Sequence, residues 1–339
     1  MSFDARSPRS PRRRGLSRWL RTAAALSLLA ASGAAAAQAY PSKPLKFVVP
    51  FPAGGDLEPV ARGLAEHFQK IWGQSAHVDF KPGAQAMIGT EFVARSEPDG
   101  HTLLICSVGA MTINPSLYPK TPYTVGKDIV PVSMVARTPM VLVAGPKLGA
   151  RTYAELLAKV RAEPGRVSYA SAGIGNVTHL TGELFTRQAG VRMVHVPYKG
   201  AQSIIADLLG GHIEMYFNPL PSARGYLSSN AEKVTPLAVT TIERTPLLPD
   251  VPTLDELGLK GFDVSSWYGL CAPGGTPRSV IDKLAAGVAD AIRNGGLAER
   301  LKGFGMTTVG DTPEQFSEQI RKEGATWATM IRELGIKPE

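Results

Sequence analysis

Two short stretches hold residues whose types and spacing suit a chemical task. In "VPFPAGGDLEPVARGLAEHF", residues 49–68, an apolar strand pattern meets Pro-Ala-Gly-Gly and then a helical period. In "VSYASAGIGNVTHLTGELF", residues 167–185, the order recurs, with Ser171, Asn176 and Thr178 as small hydrogen-bonding groups. Glycine lacks a Cβ and adopts φ > 0 at little cost, so a strand-to-helix turn built on it can leave backbone N–H groups open at the positive end of the helix. Such a turn binds anions. Any tight βα turn favours glycine as well, so the argument rests on the recurrence. If the two units face each other across a cleft, both helix N-termini aim at one ligand, beyond the carboxyl ends of the strands. A Cβ at Gly55 or Gly173 would then intrude where a ligand oxygen approaches the backbone.

Rival chemistries lack parts. Gly173-Ile174-Gly175 opens a dinucleotide fingerprint, but position 178 is Thr rather than the third glycine, and the strand "VRMVHVPY" offers His195 where an acid is expected. No G-x-S-x-G and no H-E-x-x-H occurs, although His179 and Glu183 lie four apart on one helical face. Lys199 in "VPYKG" is a candidate amine nucleophile with nothing near it in sequence to activate it. No catalytic residue is therefore assigned. No metal is expected, because six His and two Cys fall in no ligand spacing, and no cofactor is expected. Cys106 and Cys271 sit in apolar runs, where free Cys behaves as a small hydrophobe; spacing alone leaves open whether they form a disulfide.

The elements that must position these loops alternate along the chain. Strand patterns at "LKFVVPF", "SAHVDFK", "HTLLICSV", "DIVPVSMVA" and "PMVLVAG" are interleaved with helices over 58–72 and near 89–96. A second series runs through the helix "TYAELLAKVRAEPG", "RVSYASAG", a helix over about 178–188, "VRMVHVPY", the helix "AQSIIADLLGG", "IEMYFNPL" and "VTPLAVTT". After "FDVSSWYGLCAP" the chain ends in helices. This is α/β patterning, with mainly parallel sheets covered by helices.

Residues 1–39 read as a secretory signal peptide: a basic start, the Ala-rich "TAAALSLLAASGAAAA", and Ala37-Gln38-Ala39 as a cleavage site. This leader holds seven Arg and one Asp, so of the formal charge of +8 only +2 belongs to the chain from Tyr40 onward. A near-neutral mature chain has no footprint for nucleic acid. No later stretch is long and apolar enough to cross a bilayer as a helix.

The blocks "YPSKPLKFVVPFPAGG", "IGTEFVARSEPDGHTLL", "INPSLYPKTPY", "YASAGIGNVTHLTGELF", "VHVPYKG", "LPDVPTLDELGL" and "WYGLCAPGGTP" resemble the tripartite tricarboxylate transporter substrate-binding proteins, the Bug family of periplasmic receptors. The resemblance covers nearly the whole mature chain. It implies a two-domain Venus-flytrap (type II) periplasmic-binding-protein fold with hinge-linked, mainly parallel sheets, and hinge closure on ligand. It implies a small carboxylate held by main-chain groups and waters of the two glycine loops, and delivery to a two-component membrane permease. The domains expected are 40–140 plus 265–339, and 141–264.

The first-choice cleft residues are Phe51, Ala53, Gly54, Gly55, Ser107, Ser171, Gly173, Gly175, Asn176, Tyr198 and Asn218. Backbone donors of the loops would hold the carboxylate, Ser171 and Asn176 would add side-chain bonds, and Phe51 and Tyr198 would form walls. Where many relatives read Gly-Gly-Ser-Thr-Asp this chain has Gly-Gly-Asp56-Leu57-Glu58, and "GAQAM" (83–87) and Phe217-Asn218-Pro219 depart as well. Asp56 and Glu58 place up to two negative charges at the mouth of the first loop unless capping turns them away from the cleft. With Asp56 read as the helix N-cap, Leu57 and Asn218 predict a carboxylate with an uncharged, partly apolar body over an α-amino acid. The expected protein is a periplasmic, monomeric, non-enzymatic carboxylate receptor. The alternatives are an exported α/β enzyme using Lys199 or His179, and a sensory adaptor binding the same ligand. Which carboxylate binds, aromatic or aliphatic, is not written in the sequence.

Overall fold

The computed structural model describes Met1 and residues 40–338, so the expected leader and its cleavage site lie outside the described residues, apart from Met1. Residues 43–339 form one packed unit. Its centre is β4, Ile129–Ala144, a single long strand where the sequence suggests two. Pro139 interrupts the strand pattern on paper, yet it falls where β4 changes partners. Residues 129–139 pair antiparallel with β9, Ser265–Pro273. Residues 140–144 pair with β7, Met215–Pro219, and in part with β8, Thr235–Val239. A proline at such a switch loses no shared ladder bond.

On one side of β4 the order continues β9, β3 (Thr102–Ser107), β1 (Leu45–Val49), β2 (Ala76–Phe80); on the other it runs β7, β5 (Ser168–Ser171), β6 (Val194–Pro197). The outer strands pair in parallel, β1 with β2 and β3, and β5 with β6 and β7. Parallel neighbours require crossover helices. These are α1 (Leu57–Trp72) and α2 (Met87–Ala94) in the first half, and α5 (Val177–Ala189) and α6 (Ala201–Leu209) in the second; a π-helical turn at Gly109–Ile113 runs into α3 (Asn114–Leu117), and α4 (Tyr153–Ala162) follows β4. In α1, Leu57, Val60, Ala61, Leu64 and Phe68 recur at three- and four-residue spacing and are buried, and Gly73 ends the helix in the left-handed region.

A helix the sequence reading missed, α7 (Leu220–Ser229), starts directly after β7. Pro219 and Pro221 look like breakers, but a proline in the first turn gives up only a donor that has no intrahelical partner. The chain closes with α8 (Arg278–Arg293), α9 (Leu297–Lys302), the two-residue β10 (Thr307–Thr308) against β4, and α10 (Pro313–Leu334). Trp267 of β9 and Phe316 of α10 meet edge to face at 5.2 Å, both fully buried. Cys106 of β3 and Cys271 of β9 are free, fully buried thiols whose sulfurs lie 2.6 Å apart.

Candidate ligand-binding site

The first glycine loop links β1 to α1. Gly54 sits at φ 82°, and its N–H is not open to a ligand: it donates to Glu58 Oε2 at 2.6 Å, while Glu58 Oε1 takes Arg62 Nε at 2.6 Å. These bonds hold the Glu58 carboxyl below its usual range. Glu58 therefore ties the loop where Asp56 was expected to. Asp56 makes no capping bond; the Glu58 N–H goes to the Gly55 carbonyl at 3.1 Å. The Asp56 side chain instead crosses the gap between the halves: Oδ1 accepts from Ser222 Oγ in the first turn of α7 at 2.7 Å, and Oδ2 from Tyr268 OH of β9 at 3.3 Å. Burial raises its pKa to about 6 against both bonds, which lower it. The premise behind the expected ligand preference, Asp56 as a cap, thus fails. Phe51 and Gly55 are half-buried, and Ala53 and Gly54 exposed, at this loop.

The second loop, between β5 and α5, satisfies most of its own backbone. Asn176 is the N-cap, its Oδ1 accepting from the Thr178 N–H and hydroxyl, both at 3.1 Å. Ala172 N–H donates to Thr178 Oγ1 at 3.0 Å, Gly173 N–H to Ser171 Oγ at 3.2 Å, and Gly175 N–H to His179 Nδ1 at 3.1 Å. Ser171 Oγ also meets His195 Nε2 at 2.6 Å, and His195 stacks on His179 at 3.8 Å. Burial, then the neighbouring His179, lowers His195 to about 4. Ser171 and the Asn176 carbonyl oxygen are thereby spent on building the loop. Gly173 and Gly175 have φ of 119° and 75°. A Cβ on either would run into a side chain from the first half, Gln85 and Leu117 respectively. Gln85 Nε2 reaches the Ala172 carbonyl at 3.4 Å, and the Gln85 main-chain carbonyl accepts from Asn114 Nδ2 at 2.8 Å.

Two buried polar atoms on the neighbouring strands have no partner: Ser107 Oγ in β3, next to β1, and Asn218 Oδ1 in β7, next to β5. Ser107 ends β3 opposite Tyr268; Asn218 lies in β7, its amide donating to Tyr226 OH at 3.1 Å. A buried unpaired oxygen is costly unless something completes it. Tyr198 follows β6 with its N–H donating to the Ser171 carbonyl at 2.9 Å; its hydroxyl donates to Asp207 at 2.7 Å on α6 and its ring packs on the second-half core. Of the expected residues, the first loop reaches Ser107 through Asp56 and Tyr268, Asp56 also ties it to Ser222 after β7, and the second loop is joined to the first half through Gln85. Gln85, Ser222 and Tyr268 escaped sequence reasoning, and Asp56 was read as a cap rather than as a link between the halves, although "GGDLE" and "GAQAM" stood out as departures. Among the described residues no group of three His, Cys, Asp or Glu could hold a metal, and no helix is long and apolar enough to cross a membrane.

A central strand shared by two sheet halves, with loops and helix N-termini converging at the strands' carboxyl ends, defines a solute receptor of the periplasmic-binding-protein fold. The family described as "Tripartite tricarboxylate transporter family receptor" matches residues 60–336. Protein BugT of Bordetella pertussis is 37% identical over 313 residues, 91% of this chain and 95% of that protein. The structure of periplasmic binding protein BugD aligns with TM-score 0.79 at 34% identity, over 88% of this chain and 100% of that one. Rpa4515 of R. palustris, solved with adipate, aligns with TM-score 0.82 at 31% identity, over 88% and 100%. The chain belongs to the tripartite tricarboxylate transporter receptor family, among the Bug receptors, and is a receptor rather than an enzyme.

Proposed function

We propose that this protein is a periplasmic receptor that takes up a small carboxylate between the two sheet halves and passes it to a two-component permease of the tripartite tricarboxylate type. The observation that carries the reading is the pair of buried, unpartnered oxygens, Ser107 Oγ and Asn218 Oδ1, on β3 and β7, the strands next to the two that lead into the glycine loops. A hydroxyl can donate to a carboxylate, and an amide oxygen can take a hydroxyl or a water that the ligand brings. Adipate in Rpa4515 supports a dicarboxylate as the first ligand to try. The lobes would be 40–140 with 265–339, and 141–264, hinged where β4 and β9 pass between the halves, and the receptor would act as a monomer. Export would follow from cleavage near Ala39. Because the Gly54, Gly173 and Gly175 N–H groups are spent internally, side chains and bound waters carry more of the carboxylate than the loop glycines do.

Native mass spectrometry of protein drawn from its periplasm, followed by calorimetric titration of straight-chain dicarboxylates, tests the reading. A ligand is expected to bind, and Ser107→Ala to weaken it by about 1–2 kcal/mol. Failure of the whole series and an empty native spectrum would overturn it. Uptake of the bound compound by cells lacking the receptor gene tests the permease step: uptake should fall and return on complementation.

A further inference from the structure

The carboxyl of Asp56 is the one acidic group that reaches from the first glycine loop into the second half of the molecule. It takes the Ser222 hydroxyl at 2.7 Å and the Tyr268 hydroxyl at 3.3 Å. Tyr268 is the cross-strand partner of Ser107 between β3 and β9, and Ser222 lies in the first turn of the helix that directly follows β7, the strand of Asn218. Hydroxyl donors next to a helix N-terminus are what an incoming carboxylate needs. Among the described residues no basic side chain bonds to Asp56. Its loop neighbour Glu58 is occupied with Gly54 and Arg62. We propose that Asp56 is a resident competitor: its carboxylate fills the donor set a ligand carboxylate would use, and ligand binds by displacing it. The proposal rests on the receptor reading above and specifies how that site sets its affinity.

Competition gives the site a pH dependence. The titratable groups facing Asp56 are Tyr268 on β9 and Tyr216 on β7, with Tyr226 on α7 coupled to Tyr216; burial raises all three phenols, so they stay neutral. Arg224, two residues past Ser222, is turned to the Gly303 carbonyl. Asp56 itself is raised to about 6 by burial. Above that value it is an anion and repels a second carboxylate; below it the charge is gone and the competition is relieved.

The test is calorimetric titration of adipate, with the other straight-chain dicarboxylates and aspartate as further arms, into wild type, Asp56→Asn and Asp56→Ser. Asn is isosteric and still accepts from Ser222, and Ser supplies a second, smaller variant should Asn fold poorly. Asp56→Asn should bind dicarboxylate about tenfold more tightly than wild type near pH 7.5, a gap that shrinks near pH 5, where both carry a neutral side chain. The ratio of wild type to variant cancels the titration of the ligand. Equal or weaker binding by both variants near neutral pH would overturn the proposal while leaving the receptor reading intact. Aspartate bound more tightly than succinate by wild type, with the advantage lost in Asp56→Asn, would also overturn it, because Asp56 would then be pairing with an ammonium group. If no dicarboxylate binds any variant, the receptor reading fails and the proposal fails with it.

Discussion

Gly175 and Gly55 occupy matching loops and have opposite reasons for being glycine. At Gly175 the backbone is at φ 75° and a Cβ would overlap Leu117 of the facing half. Gly175→Ala should therefore cost about 1–3 kcal/mol and weaken ligand binding, since the strained backbone and the displaced Leu117 both oppose the contact between the halves. At Gly55 the backbone is ordinary and a Cβ would meet only the Pro52 carbonyl at 3.4 Å. Gly55→Ala should stay within about 0.5 kcal/mol of wild type. Urea unfolding of the two variants separates them, and similar losses in both would show that the loops are not distinguished as described. The thiols make a second contrast with the surface: both are fully buried and burial pushes Cys271 well up. A maleimide should label neither in the native protein and both after unfolding; native labelling would contradict the packing of β3 against β9.

At the scale of elements, the helix-loop units were legible because their signals are local. Strand, glycines and an apolar 3.6-residue period can be read in one window, whereas Asn176, expected to bond the ligand, is in the structure the cap of α5. Asn176→Ala should cost about 1 kcal/mol, read from the unfolding midpoint. What could not be read was anything whose sense lies across the fold. Pro139 looks like a strand end until β9 and β7 are seen to exchange at it, and Asp56 looks like a cap until Ser222 and Tyr268 arrive from residues far along the chain. Glu323 of α10 belongs to the same hidden group. Trp267 Nε1 donates to it at 2.6 Å, and burial raises its pKa to about 7, from 4.5, with Asp263 adding to the rise. A folded pKa above the unfolded one gives stability that is fully present below 4.5 and lost as pH rises through about 7. Glu323→Gln keeps the acceptor and removes the proton, so its unfolding midpoint should fall less than that of wild type between about pH 5 and 8. Parallel pH profiles for the two proteins would assign the slope to other groups, Asp56 first among them. His195, lowered to about 4, acts in the other direction: its contribution is present above 6.5 and declines as pH falls toward 4.

For the molecule as a whole, the question is whether ligand engages both halves at once. Three contacts join them near the site: Gln85 to Ala172, Asp56 to Ser222, and Leu117 against Gly175. Each pairs segments that are remote in sequence, and each sits at a loop or first helical turn rather than inside a ladder. Local opening free energies are lowest at such positions, so ligand that bridges the halves must raise them together. A ligand at about 100 times its Kd adds about 2.7 kcal/mol to global stability in any receptor, which makes a rise in midpoint alone uninformative about where it binds. Hydrogen exchange with and without saturating ligand is informative, because it resolves segments. Protection is expected to increase in residues 83–87, 172–176 and 220–224 together, while the outer strands β2 and β6 change only by the uniform global amount. Protection confined to the 172–176 and 220–224 segments would mean that the second half binds alone, and hinge closure of the two lobes on the ligand would have to be abandoned.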